Sequence, residues 1–277
     1  MSLTVGLDVG GSTTKIVGMT GGKIVYKSIT SADDPITSAY GALGKLINDL
    51  NLSVSDITRI DITGVGSGFS NSQMLGIDTR VINEFISCGL GGLFLAGLER
   101  AVVVSMGTGT AYLKAENHSV KHIIGSGVGG GTIVGLCNSM TGIHDPHKLS
   151  DLATGGDIDK VDLNVGDISI SEIEGLSKDV TASNFGKAAD DLTNEDKVVG
   201  VFNLVYQSIG TMSVLSSRAV GINDVVLTGQ LTTFKELERT VKMFKELYDT
   251  NFIIPEDAEF ATAIGACLAG EREENVI

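Results

Sequence analysis

One plan is written twice in this chain. VGLDVGGSTTKIVGMTGGKIVY begins at Val5, and AVVVSMGTGTAYLKAENHSVKH begins at Ala101. Each reads as a buried strand, a turn of glycines and hydroxyls, a second strand, a polar hairpin and a third strand. A three-stranded meander followed by helical segments, repeated once, constrains the chain to two α/β lobes of similar build. The expected division falls between Leu98 and Arg100, giving residues 1–98 and 99–277.

The remaining segments fit this plan. TSAYGALGKLINDL at 37–50 places Tyr40, Leu43, Ile47 and Leu50 on one helical face. ITRIDITGVGSG reads as a strand ending in glycines, TRVIN as another strand, and Phe85 to Leu98 as a helix rich in small residues. The second half adds a long helix over 195–219 and a strand at 225–229. A helix over 232–248 has Phe234, Leu237, Val241, Phe244 and Leu247 on one face, and a last helix follows Ala261. Residues 145–192 are polar and weakly periodic, and are read as short helices and loops.

Composition narrows the partners. With 277 residues, 42% of them hydrophobic and 19% charged, the chain can bury a substantial core. A formal charge of -14 opposes nonspecific binding to nucleic acid or to anionic lipid. A phosphate ligand must then be held by local backbone amides and a few cations. Cys88, Cys137 and Cys267 are far apart and lack metal-ligand spacing, so they read as packed thiols in a reducing, cytoplasmic setting. The start MSLTVGLDVGG lacks the plan of a signal peptide, and the uncharged stretch 122–143 is too rich in glycine for a membrane helix. The expectation is a cytoplasmic protein with no nucleic-acid or membrane partner.

Four positions suggest chemistry. Gly10, Gly11, Ser12, Thr13, Thr14 and Lys15 offer close backbone approach, hydroxyls and a point charge, which suits a polyphosphate; a tight hairpin would need only the glycines. Asp8 favours the first reading, because a carboxylate beside a phosphate loop requires a cation between them, as for Mg2+ held through water. Gly107, Thr108 and Gly109 repeat that turn in the second half, so two turns could grip one polyphosphate. Gly129, Gly130 and Gly131, with a helix expected from about Thr132, could present free amides and a positive dipole end to phosphate. Glu84 ends a strand and opens a helix, where a carboxylate also serves simply to complement the helix dipole.

The order DVGGSTTK, SMGTGT, VVLTG, TAIGACLAG resembles the actin-like ATPase superfamily, in which two ribonuclease-H-like lobes close over ATP. Within it the chain resembles the type II pantothenate kinases, through the glutamate of VINEF, the run GSGVGGGTIVGLC with Thr141 and Gly142 after it, and TASNFG at 181–186. The resemblance implies an α/β fold with an interlobe nucleotide cleft, and ATP-dependent phosphorylation of pantothenate. It implies that Asp8 organises Mg2+ and that residues 10–15 hold the phosphates. Glu84 would be the catalytic carboxylate. Gly107 to Gly109 would face phosphates and pantothenate, Gly129 to Thr132 the nucleotide, and Gly229 with Gln230 its adenosine part. A homodimer through the 195–219 helix is also implied.

Two positions depart from that pattern. His122, preceded by Lys121, stands where the family usually has arginine, and Ala111 where it often has serine. Arginine is always charged and bidentate, whereas an imidazole is only partly charged near neutrality. The departures leave open a kinase of the same build acting on another small hydroxyl compound, or a nucleotide-binding regulator with weakened transfer.

Overall fold

The computed structural model describes the chain except residues 1–2, 12, 32–33, 70–72, 170, 172–174, 176, 189 and 275–277. The first half forms β1 (Leu3–Val9), β2 (Thr14–Thr20), β3 (Lys23–Thr30), α1 (Pro35–Asp49), β4 (Ile57–Thr63), β5 (Gln73–Met74), β6 (Ile77–Val81) and α2 (Glu84–Ala96). Then follow β7 (Arg100–Met106), β8 (Thr110–Glu116), β9 (Ser119–Ser126), α3 (Gly130–Thr141), α4 (Pro146–Ala153), β10 (Leu163–Asn164), α5 (Val165–Ile168) and β11 (Thr181–Ser183). The chain closes with α6 (Asn194–Val220), β12 (Asp224–Thr228), α7 (Glu236–Leu247), β13 (Asn251–Ile253) and α8 (Ala261–Glu274).

The repeated plan yields two sheets of one design. Strands run β3-β2-β1-β4-β6-β5 in the first and β13-β12-β7-β8-β9 in the second. In each, the meander is antiparallel, and its first strand also pairs in parallel with a later one: β1 with β4, β7 with β12. Parallel pairing brings the carboxyl ends of these strands to one edge, where open α/β sheets bind ligands.

Alternation along β1 explains the layering. Val5, Leu7 and Val9 face α1, packing on Ala39, Ala42, Leu43 and Leu46. The opposite face is covered by α8, with Val17 and Met19 against Ala263, Ile264 and Cys267. In the second sheet, Val102, Val104 and Tyr112 pack with Phe202, Val205 and Tyr206 of α6, while Val103 and Leu113 meet Cys88 and Leu93 of α2. The two halves thus exchange cover: α2, from the first half, lies on the second sheet, and α8, from the end of the chain, lies on the first. The two helices pack on each other between the sheets.

Some boundaries differ from the sequence reading. Leu43, Ile47 and Leu50 of the expected α1 stripe pack on the core, joined by Ala39, Ala42 and Leu46, while Tyr40 is exposed. Helix α3 starts at Gly130, two residues early, because Thr132 Oγ1 reaches back to accept from the amide of Gly129, 3.1 Å away. Helix α7 starts only at Glu236, since 230–233 form a 3-10 turn after Gly229 at φ +93°. The short strands β5 and β13 had no periodic signal of their own. By length and composition α6 could cross a bilayer, but most of its apolar window is buried in the protein.

Candidate active site

Asp8 sits at the carboxyl end of β1, opposite Lys15 of β2 and beside Thr63 of β4. Burial pushes its carboxyl up to about 6, against the lowering effect of the Lys15 charge and with a further raise from Glu84. The turn between β1 and β2 is closed by the Gly10 amide donating to the Thr13 carbonyl at 3.0 Å, and Lys15 Nζ reaches Thr13 Oγ1 at 3.5 Å. Gly11 is exposed, with open space where a β-carbon would be. Thr14, paired with Val9, is fully buried and its hydroxyl has no partner among the described residues. Ser12 lies outside the described residues.

Glu84 is the first residue of α2, whose N-cap Asn83 accepts from the amides of Phe85 and Ile86 at 3.0 and 3.2 Å. The residue is exposed, yet the protein around its carboxyl desolvates it enough to raise its pKa. Its charge also acts on Asp8, so β1 and the start of α2 bring two carboxylates into one electrostatic environment. His122 of β9 joins this end through its ring, stacked on Phe85 with centroids 4.8 Å apart.

The glycine runs of the second half form one unit. The amides of Gly130 and Gly131 donate to the carbonyls of Gly107 and Thr108, both at 2.9 Å, and that of Gly107 donates to Gly109. A β-carbon on Gly129 would lie 2.7 Å from the Thr108 oxygen, and one on Gly109 would lie 2.9 Å from that of Ser126. The first amides of α3 are therefore engaged with the turn, contrary to the expectation that they are free. What these glycines provide is a close-packed backbone surface. Gly229 completes it: its amide donates to Ala258 at 3.0 Å, and a β-carbon there would lie 2.6 Å from the Met106 oxygen, at the end of β7. Gln230 Oε1 beside it is buried and unpartnered among the described residues.

The sequence reading missed Thr63 and Gly64. Thr63 is fully buried next to Asp8, and its hydroxyl has no partner among the described residues. Gly64, at φ +94°, presses on the same carboxylate; a β-carbon would lie 2.8 Å from Asp8 Oδ1 and 2.5 Å from the Val9 oxygen. The Gly66 amide then donates to Val9 at 2.9 Å, folding the turn over the end of β1. The glycines of ITGVGSG were the available signal. One carboxylate with an orphaned hydroxyl beside it is a hard, oxygen-only donor set. It fits Mg2+, which keeps most of its waters and leans on one or two carboxylates plus substrate phosphates.

Cys88, one turn after Glu84, lies beneath this region. Its Sγ is 3.4 Å from Ser105 Oγ and 3.2 Å from Thr262 Oγ1, and burial pushes the thiol up to about 11, so it stays neutral.

Two meander-led sheets with a helix pair between them, and glycine turns at the strand ends, define an actin-like ATPase fold. Solved structures agree on that fold. The activator of the 2-hydroxyisocaproyl-CoA dehydratase from Clostridium difficile with bound ADPNP superposes with a TM-score of 0.68 at 19% identity, covering 99% of this chain and 98% of that one. A ROK family glucokinase from Streptomyces griseus in complex with glucose and AMPPNP gives 0.59 at 12% identity, covering 98% and 99%. The family model described as Fumble matches residues 101–269, and the chain belongs to that family. Its curated relatives include the type II pantothenate kinase of Staphylococcus saprophyticus, 29% identical over 274 residues, covering 95% of this chain and 99% of the relative. The type II pantothenate kinase of Bacillus thuringiensis subsp. konkukian is 28% identical over 287 residues, covering 99% and 100%.

Proposed function

We propose that this protein transfers the γ-phosphoryl group of ATP to the primary hydroxyl of pantothenate, yielding 4'-phosphopantothenate and ADP, the first step of coenzyme A biosynthesis. Membership of the Fumble family, with near full-length relatives named type II pantothenate kinase, supports the acceptor. The observation that carries the chemistry is the convergence of Asp8, Lys15 and Glu84 at the ends of β1, β2 and α2.

The acceptor oxygen forms a bond to the γ-phosphorus as the bond from that phosphorus to the β,γ-bridging oxygen breaks, and ADP departs with the electron pair. Glu84 takes the acceptor's proton and orients the hydroxyl for in-line attack. Its raised pKa moves it closer to neutrality, where a carboxylate is a better base. Residues 10–15 hold the phosphates, Lys15 adding a point charge. Mg2+, when bound, offsets charge on the phosphates, and Asp8 with Thr63 would hold it. Gly107 to Gly109 face the phosphates and the acceptor, Gly129 to Thr132 form the wall behind the nucleotide, and Gly229 with Gln230 border its adenosine part. His122 supplies the acceptor side with a group in place of arginine.

The halves 1–98 and 99–277 each supply the sheet of one lobe, and the lobes close over the nucleotide with α2 riding on the second sheet and α8 on the first. The enzyme works in the cytoplasm as a homodimer, with α6 offering a stripe of half-buried Leu204 and Ser208 and exposed Thr211 and Leu215 for the partner. Release of ADP with pantothenate, compared with a panel of other small alcohols, tests the assignment. Turnover confined to another compound would replace the acceptor, and tight MgATP binding without any turnover would replace the enzyme by a nucleotide-binding regulator.

A further inference from the structure

The first turn of α2 carries more than Glu84. The ring of Phe85, the next residue, lies nearly parallel to that of His122 on β9, at 19° between planes and 4.8 Å between centroids. The backbone sets this contact. One turn further along α2, Gly89 meets Val120, two residues before His122, and a β-carbon on Gly89 would lie 2.5 Å from Val120 Cγ2. Four residues of helix and two of strand each advance about 6 Å. A helix seated at Gly89 on Val120 therefore delivers Phe85 onto His122. The other end of the imidazole passes over Gly125, where a β-carbon would lie 3.7 Å from Nε2. The amide of Phe85 is in turn fixed by the Asn83 cap.

We propose that Phe85 is a positioning residue for the acceptor: its ring fixes the His122 imidazole in the orientation in which it meets the acceptor. This rests on the assignment of His122 to the acceptor side made above. A guanidinium carries its donor geometry in one rigid plane, whereas an imidazole presents a single nitrogen on each side and must be aimed. Stacking removes ring rotation before the substrate arrives, which strengthens binding without adding a contact. Because Phe85 adjoins Glu84 in one helical turn, the base and the aimed imidazole keep a fixed relation as the cleft closes.

The test compares Phe85→Leu, which keeps apolar bulk but not the ring, with Phe85→Tyr, which keeps the ring. A stacked pair of this kind corresponds to about a two- to tenfold change in binding. The KM for pantothenate should rise by that factor in Phe85→Leu and return to within about twofold in Phe85→Tyr. MgADP affinity should be unchanged in both. An unchanged KM in Phe85→Leu, or an equal loss in both variants, overturns the proposal. The stack is also read without turnover, from ring-current displacement of the His122 ring-proton resonances in the full-length protein. Displacement in the unsubstituted protein and Phe85→Tyr, lost in Phe85→Leu, supports it, and identical resonances in all three overturn it. If the unsubstituted enzyme turns over only another acceptor, the pantothenate assignment falls, and the KM comparison is decided on that acceptor.

Discussion

Gly265 of α8 rests against the carbonyl oxygen of Ser87 on α2, so closely that a β-carbon at Gly265 would lie 1.7 Å from it. Gly91 faces Ala261 in the same way, again at 1.7 Å. The helices that join the two halves thus cross at backbone contact, each lying on the other half's sheet. Neither obstacle is a flexible side chain, so Gly265→Ala must part the helices. Overpacking costs about 1–3 kcal/mol where side chains can yield, and here the backbone must move. The unfolding free energy of Gly265→Ala should fall by at least that amount, and urea titration measures it as a lowered midpoint. An unchanged midpoint would show that the crossing is looser than described.

Glu84→Gln should lower kcat by about 10²–10⁴-fold, the range for a lost general base, while MgATP still binds. Because burial raises the Glu84 pKa, the acid limb of kcat/KM should lie above the ordinary carboxylate value: the residue must be ionised to accept the proton, and activity falls as pH drops through its pKa. Pre-steady-state phosphoryl transfer with isothermal titration of MgATP separates the two effects.

Asp8 costs the metal-free protein stability. Its folded pKa, about 6, lies above the ordinary 3.8 of an aspartate, so the unfolded chain ionises first as pH rises. Below both values the cost is absent; it grows between them and is complete above 6. Asp8→Asn in EDTA should therefore be more stable than the parent by about 1–3 kcal/mol at pH 7.5 and equal to it near pH 3, while losing turnover. Equal stability at both pH values would mean that solvent or Lys15 relieves the carboxylate fully.

Thr63 separates a structural from a ligand-directed role in a similar way. An orphaned buried hydroxyl stabilises nothing by itself, so Thr63→Val should hold or gain about 1 kcal/mol in the ligand-free protein. The rise in Tm on adding Mg2+ and a nonhydrolysable nucleotide should shrink. A full rise in Thr63→Val would remove Thr63 from the cation's surroundings.

Much of the fold was legible because its signals are local. Alternation along β1 and β7, the glycine turns after them and the caps of the helices act over a few residues, and the doubling of the meander showed in the letters themselves. The late start of α7 and the engaged amides of α3 were not, since each depends on what lies opposite: Gly229 against Met106, Gly130 against Gly107.

By itself the sequence determined the two meanders, the turns at residues 10–15, 107–109 and 129–131, and the presence of Asp8 and Glu84 at strand and helix ends, because these follow from backbone sterics and short-range periodicity. Only the tertiary structure decided that Thr63 lies beside Asp8, that Phe85 meets His122, and that α2 and α8 trade sheets. Parallel pairing and helix crossing join residues separated by tens of positions, and nothing in a local run of side chains encodes which distant backbone will come within contact.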